Sequence, residues 1–283
     1  MTQIELPALP EPLPRPVVDN HTHLAATQAY SGLSVADSIA KAASVAVTRM
    51  VEVGTDVASS QEAISIARAT PSVVAAVALH PNDAARAHAR GSLEAELAAV
   101  EQLVSDPAVR AVGETGLDHF RTRDAAGHAA QVESFAAHIG WAKRHDLTLV
   151  IHDRDAHDDV LAVLDRQGAP DRVVMHCFSG DADFARACLE RGFWLSLPGV
   201  VTFGSAQSLR QAALVMPLER ILVETDAPYL APHPCRGRPN ASYLMPHTVR
   251  FLADLLDVEL AELCDRVSAN TDAAYGGTWQ SHA

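Results

Sequence analysis

Eight short apolar runs, each followed by a segment with helical spacing, divide the chain from residue 17 onward. They occupy positions 17–20, 48–53, 73–79, 110–113, 148–151, 172–175, 193–197 and 220–223 and are rich in Val, Ile, Leu and Ala. Between them, stretches such as 34–46, 56–70, 92–105, 128–145, 155–167 and 181–192 repeat apolar residues every three or four positions, most with Ser or Asp at the start. Strands that alternate with helices need crossover connections, which points to a parallel sheet covered by helices. Eight such units in 283 residues predict an α/β fold, a single-domain TIM (β/α)8 barrel. The competing open, doubly wound sheet carries a Gly-rich phosphate turn after its first strand, and here that turn reads DNHTHL. Helical patterns at 245–275 supply the last barrel helix and one capping helix. Prolines at 7, 10, 12, 14 and 16 predict an extended N-terminal arm over 1–16, ahead of a barrel at 17–276 and a tail at 277–283.

Composition narrows the function. A formal charge of −13 argues against a broad basic surface for polyanions but leaves room for a local site. The 14 histidines stand out, because imidazole is the common ligand for transition metals and the common acid or base near neutral pH. Four cysteines form no C-x-x-C pair, so neither a zinc ribbon nor a disulfide framework is expected, and a reducing, cytoplasmic location fits. No run approaches the roughly 18 apolar residues of a membrane helix, and no obligate protein partner is evident.

The titratable side chains gather at the ends of the apolar runs, which in such a barrel converge on one mouth. The first run leads into His21 and His23, two residues apart and so on one side of an extended segment, able to hold one ion. The fourth leads into Glu114, between Gly113 and Gly116, a carboxylate able either to bridge two cations or to serve as a turn or cap. The fifth and sixth end in His152 and His176, and Asp226 follows the eighth. His21, His23, Glu114, His152, His176 and Asp226 form a set of N and O donors. It suffices for two divalent ions sharing a bridging group, and catalysis accounts for it better than a structural zinc or a scaffold does.

The ordered motifs DNHTHL, LHPNDA, GETGLD, IHDRDA, HCFSG, ETDAPYL, RGRPN and SANT resemble those of the TatD-like metal-dependent hydrolases, a branch of the amidohydrolase-type TIM barrels. The resemblance implies His21 and His23 on one metal and His152 and His176 on the other. Glu114 would be shared, and Asp226 would be a ligand that also handles the water proton. It further implies a deoxyribonuclease trimming single strands, often from the 3′ end with Mg²⁺, or deacylation of D-aminoacyl-tRNA. The sequence departs from the family at Ala78, Asn82, Asp153 and the loop from Arg236 to Ser242, positions that bear on substrate rather than on the six donors.

The reading that follows is a two-metal hydrolase with Glu114 and Asp226 as catalytic carboxylates, using Mg²⁺, Mn²⁺ or Zn²⁺ to cleave phosphodiesters at single-stranded DNA ends. Arg154 is the first choice for a phosphate contact and Arg236 or Arg238 the second, since guanidinium matches phosphate bidentately; ion pairing of Arg154 with Asp153 or Asp155 is the competing account. His80 and His119, also near strand ends, fit either a substrate contact or a turn. Phe120, Phe178, Phe203 and Tyr229 are the candidate base platforms. His88, His128, His138, His157 and His282 are read as surface residues. The alternative reading is an amidohydrolase, lactonase or D-aminoacyl-tRNA deacylase, in which the same metal centre directs a hydroxide at the carbon of a carboxylic ester or amide.

Overall fold

The computed structural model describes residues 5–280; positions 1–4 of the arm and 281–283 of the tail, His282 included, lie outside the described residues. Eight strands, β1 (Val17–Thr22), β2 (Val47–Val53), β3 (Val73–Val77), β4 (Val109–Asp118), β5 (Thr148–Arg154), β6 (Val173–Met175), β7 (Trp194–Leu197) and β8 (Ile221–Val223), pair in parallel and in chain order. Around them run α1 (Leu24–Ser31), α2 (Val35–Ser44), α3 (Val57–Ala69), α4 (Pro81–Arg90), α5 (Leu93–Val104), α6 (Ala125–His145), α7 (His157–Gln167), α8 (Ala182–Glu190), α9 (Gln207–Ala213), α10 (Met245–Leu256) and α11 (Leu260–Ala274). The fold is the expected TIM barrel.

Period-two alternation explains the layers. Val51 and Val53 turn inward with Val74, Ala76, Ala111, Val150, Val174, Trp194 and Leu222, whereas Met50, Val73, Ala75 and Val77 face the helices. Both strand faces are therefore dry, which is why the strands read as continuous apolar runs. Each fully buried Val or Leu contributes about 1.5–3 kcal/mol relative to exposure. Several of the expected cap residues hold their helices: Ser34 accepts from the Asp37 amide, Asp56 from Ser59 and Asp181 from Phe184.

The seam between β8 and β1 is joined at the mouth, where the Asp226 amide donates to the His21 carbonyl at 3.0 Å and the His23 amide to that of Ala227 at 2.9 Å. Asp19 fastens the same seam by accepting both the amide and the hydroxyl of Thr225, and burial lifts its carboxyl to about 7. At the opposite end Tyr275 plugs the barrel and donates to the Asn20 carbonyl at 2.9 Å. The arm packs along the outside: Leu13 is buried, and Tyr243 and Arg250 donate to the carbonyls of Pro7 and Pro12.

Three sequence expectations change. Strands β1, β4 and β5 continue past their apolar runs to Thr22, Asp118 and Arg154, so His21, Glu114 and His152 lie within strands rather than beyond them. Glycine permits this in β4, since a side chain at Gly113 would strike Val150 and one at Gly116, whose φ is +133°, would strike the His152 carbonyl. A helix outside the expected helical stretches, α4, opens at the HPNDA motif with Pro81 in its first turn, where a missing N–H costs nothing. His138 is no surface residue. It is fully buried in α6, accepting from the Leu79 amide at 3.0 Å and donating to the Ser134 carbonyl, and burial lowers it to about 4. Its removal would orphan a buried amide, at about 1–3 kcal/mol. Among the described residues no helix is long and apolar enough to cross a membrane.

Candidate metal centre

Strand closure brings together all six donors named from sequence. Glu114 stands among them, 6% exposed, with its two oxygens pointing different ways. Its Oε2 lies 2.8 Å from His176 Nε2 and 3.4 Å from His152 Nδ1, while Oε1 lies 3.8 Å from His23 Nε2. Asp226 Oδ1 completes the other side, 3.4 Å from His23 Nε2 and 3.9 Å from His21 Nε2. Three groups are compact enough for one cation: His21, His23 and Glu114; His80, Glu114 and His152; and His21, His176 and Glu224. The first two share Glu114.

The hydrogen bonds on the far side of each imidazole decide which nitrogen is free. His23 Nδ1 donates to the Val53 carbonyl at 2.8 Å, leaving the Nε2 lone pair toward Glu114 and Asp226. His176 Nδ1 donates to Glu224 at 3.1 Å, leaving Nε2, and His152 Nε2 donates to Asp118 at 3.3 Å, leaving Nδ1. Pinning the second nitrogen in this way is how proteins orient metal-ligating histidines. His21 has neither nitrogen hydrogen-bonded although it is fully buried, and an orphaned buried imidazole of this kind fits a cation.

Charge tells the same story. Burial alone would lower His23 and His176, yet Asp226 and Glu114 raise the first to about 9, and Glu224 and Glu114 hold the second well above its ordinary value. Against its burial, Glu114 is held well below the usual carboxylate range by His176 and its neighbours. Without a cation the carboxylates keep protons on the imidazoles; a cation bound there would take the place of those protons.

His80 differs from the other four. Its Nδ1 accepts from the Asn82 amide at 3.1 Å and burial lowers the ring to about 3, so the neutral ring carries its proton on Nε2 and faces the site as a donor rather than as a ligand. It lines a cavity of about 700 Å³ at the mouth together with Arg86, Arg121, Arg154 and Tyr229. Among the described residues Arg154 pairs with neither Asp153 nor Asp155; Asp153 is engaged by His157 at 2.7 Å, and the Arg154 guanidinium lies 3.9 Å from the centre of the Phe120 ring.

Other sequence choices sit elsewhere. Arg238 donates to the carbonyls of Glu5 and Leu6 in the arm, and Arg236 covers the Phe203 ring, so neither lines the cavity; the loop reaches the site through Asn240, which donates to the Thr225 and Tyr229 carbonyls around Asp226. Phe178 is core, Phe203 lies under Arg236, and His119 stacks on His128; of the four aromatic candidates only Tyr229 lines the cavity, with 57% of it exposed.

Two buried carboxylates that brace histidines of the site escaped the sequence reading. Asp118 accepts from Asn82 and the Arg121 amide besides His152, and Glu224 accepts from the Cys177 amide besides His176. A signal existed: Asp118 lies four residues from Glu114 along β4, and Glu224 directly follows the apolar run of β8, as other titratable residues follow theirs. Glu224 keeps its second oxygen without a partner, in a compact group with His176 and the orphaned His21. Glu224→Gln should therefore weaken metal affinity by about 10–100-fold while the fold persists. Competition with a coloured chelator measures this, and unchanged affinity would remove Glu224 from the centre.

Comparison with known proteins places the chain in a family. The sequence model of the family described as TatD related DNase matches residues 18–276. An uncharacterized metal-dependent hydrolase TatD from Mycobacterium tuberculosis is 45% identical over 93% of this chain and 99% of its own length. A 3′-5′ ssDNA/RNA exonuclease TatD from Citrobacter rodentium is 31% identical, covering 86% of this chain and 92% of its own. The crystal structure of a TatD homologue from Escherichia coli superposes with a TM-score of 0.83 at 25% identity, over 93% of this chain and 98% of that one. With the barrel, the candidate metal-binding groups and these relatives in agreement, the chain belongs to the TatD-related DNase family and is a metal-dependent hydrolase.

Proposed function

We propose that this hydrolase cleaves phosphodiester bonds at the ends of single-stranded DNA, using two divalent cations held by His21 and His23 on one side and His152 and His176 on the other. The observation that carries the reading is the reach of Glu114 to both pairs: Oε1 lies toward His23, and Oε2 lies toward His152 and His176 with His21 Nε2 4.0 Å away. The name of the Citrobacter relative, a 3′-5′ ssDNA/RNA exonuclease, supports the choice of nucleic acid. Mg²⁺, Mn²⁺ or Zn²⁺ bound there would supply Lewis-acid polarisation of a phosphoryl oxygen and an acidified water.

The protein's own groups carry the rest. Asp226, against His21 and His23 and open to the cavity, accepts the proton lost by the attacking water. His80 Nε2–H offers a hydrogen bond to an oxygen that gains charge, from a ring that burial keeps neutral. Arg154 holds a phosphate through its fork. The cavity limits what enters: about 700 Å³ admits a few nucleotides rather than a duplex lying across the mouth.

Metal-depleted protein resupplied with each cation in turn should release nucleotides from end-labelled single-stranded DNA and leave blunt duplex largely intact. Protein that leaves single-stranded DNA and RNA untouched while hydrolysing a carboxylic ester, lactone or aminoacyl ester would keep the metal centre and end the nuclease reading.

A further inference from the structure

We propose that Arg121 and Arg154 together form a second phosphate subsite, which takes a phosphate that is not cleaved and makes an oligonucleotide a better substrate than a small phosphodiester. The proposal rests on the nuclease reading and extends it to residues beyond the metal donors. Both arginines line the cavity. Arg86, the third guanidinium on its wall, is neutralised by Asp83 at 2.5 Å, whereas Arg121 and Arg154 have no carboxylate partner among the described residues. In a chain carrying 35 Asp and Glu against 22 Lys and Arg, two uncompensated guanidinium groups on one wall of one cavity form a local anion site in an acidic surface.

Their placement is built. Arg154 lies two residues beyond His152 on β5 and so projects from the same side of the strand, one step farther out from the donor cluster. Across the β4–β5 pairing its partner is Asp118, whose Oδ1 accepts from the Arg121 amide at 2.7 Å. The carboxylate that orients His152 thus also anchors the turn bearing Arg121. Phe120, itself 44% exposed, lies beneath the Arg154 guanidinium, 3.9 Å from ring centre to Cζ, and holds a long flexible side chain in place for a phosphate. In the strand order β4 and β5 stand across the barrel from β8, which leads to Tyr229. A strand whose scissile phosphate lies over Glu114 would place one neighbour against the exposed Tyr229 ring and the next phosphate on the two arginines.

The test separates this subsite from the metal centre. Binding of a short, fluorescently labelled single-stranded DNA to metal-free protein is followed by anisotropy across a salt series for the unmodified protein, Arg121→Ala, Arg121→Lys and, as a remote control, Arg186→Ala. Arg121→Ala should weaken binding about tenfold and flatten the slope of log affinity against log salt by roughly 0.7, the value for one lost contact to a single strand. Arg121→Lys should keep the slope but recover only part of the affinity, because an ammonium lacks the fork. With metal restored, the ratio of kcat/KM for the oligonucleotide to that for bis(p-nitrophenyl) phosphate should fall about tenfold in Arg121→Ala and in Phe120→Ala. Unchanged affinity and slope in Arg121→Ala, or a parallel fall on both substrates, would overturn the subsite while leaving the nuclease reading in place. Failure of the unmodified, metal-loaded protein to degrade any single strand would overturn both.

Discussion

Glu114→Ala is expected to lose at least one bound metal per chain and at least about a thousand-fold in kcat, about 4 kcal/mol of transition-state stabilisation. An outer residue that only orients a ligand costs about 10–100-fold, and Glu114 faces both histidine pairs. Its loss removes the charge that helps hold protons on His23 and His176 and the anion that would share two cations. The fold should survive, because Glu114 lies at the mouth and the packed interior is built from Val51, Val74, Val150 and their neighbours. Elemental analysis beside circular dichroism measures this directly. Glu114→Asp should restore part of the metal content and little of the rate, since a shorter carboxylate reaches one pair and not both. Two metals per chain and ordinary turnover in Glu114→Ala would end the bridging role.

Asp226→Asn is expected to lower kcat by about 10²–10⁴-fold, the range for removing a general base. The substitution preserves shape. Asp226 sits at a φ of 52°, a left-handed conformation that Asn adopts as readily as Asp, and its amide still donates to the His21 carbonyl across the seam. What disappears is the negative oxygen 3.4 Å from His23 Nε2. If that oxygen acts on the proton in the transition state, kcat and kcat/KM fall together; if it served only to bind substrate, KM would rise with kcat unchanged, and the base role would be wrong.

Much of this was legible in one dimension. Strands of a parallel barrel are buried on both faces, so each wrote itself as a run of Val, Ile, Leu or Ala, and all eight stand near their expected positions. A titratable residue that ends such a run is also a local pattern, and His21, His23, Glu114, His152, His176 and Asp226 were found by it. Of the arginines on the cavity wall, Arg154 was named from its place after His152 and Arg121 was not. Arg238 and Arg121 are alike in sequence, each in a polar loop after a strand; only the arm, whose Glu5 and Leu6 carbonyls capture Arg238, takes one from the mouth and leaves the other there.

The sequence by itself determined the period of each segment, the number of strands and which titratable side chains end the strands, because spacing and burial are properties of neighbours along the chain. Only the tertiary structure decided which nitrogen of each imidazole faces inward, that Asp118 and Glu224 stand behind His152 and His176, and that His138 is core. These depend on contacts between residues tens to hundreds of positions apart, such as Asp19 with Thr225 across the seam. Register and closure of the barrel set those contacts, and no local pattern encodes them.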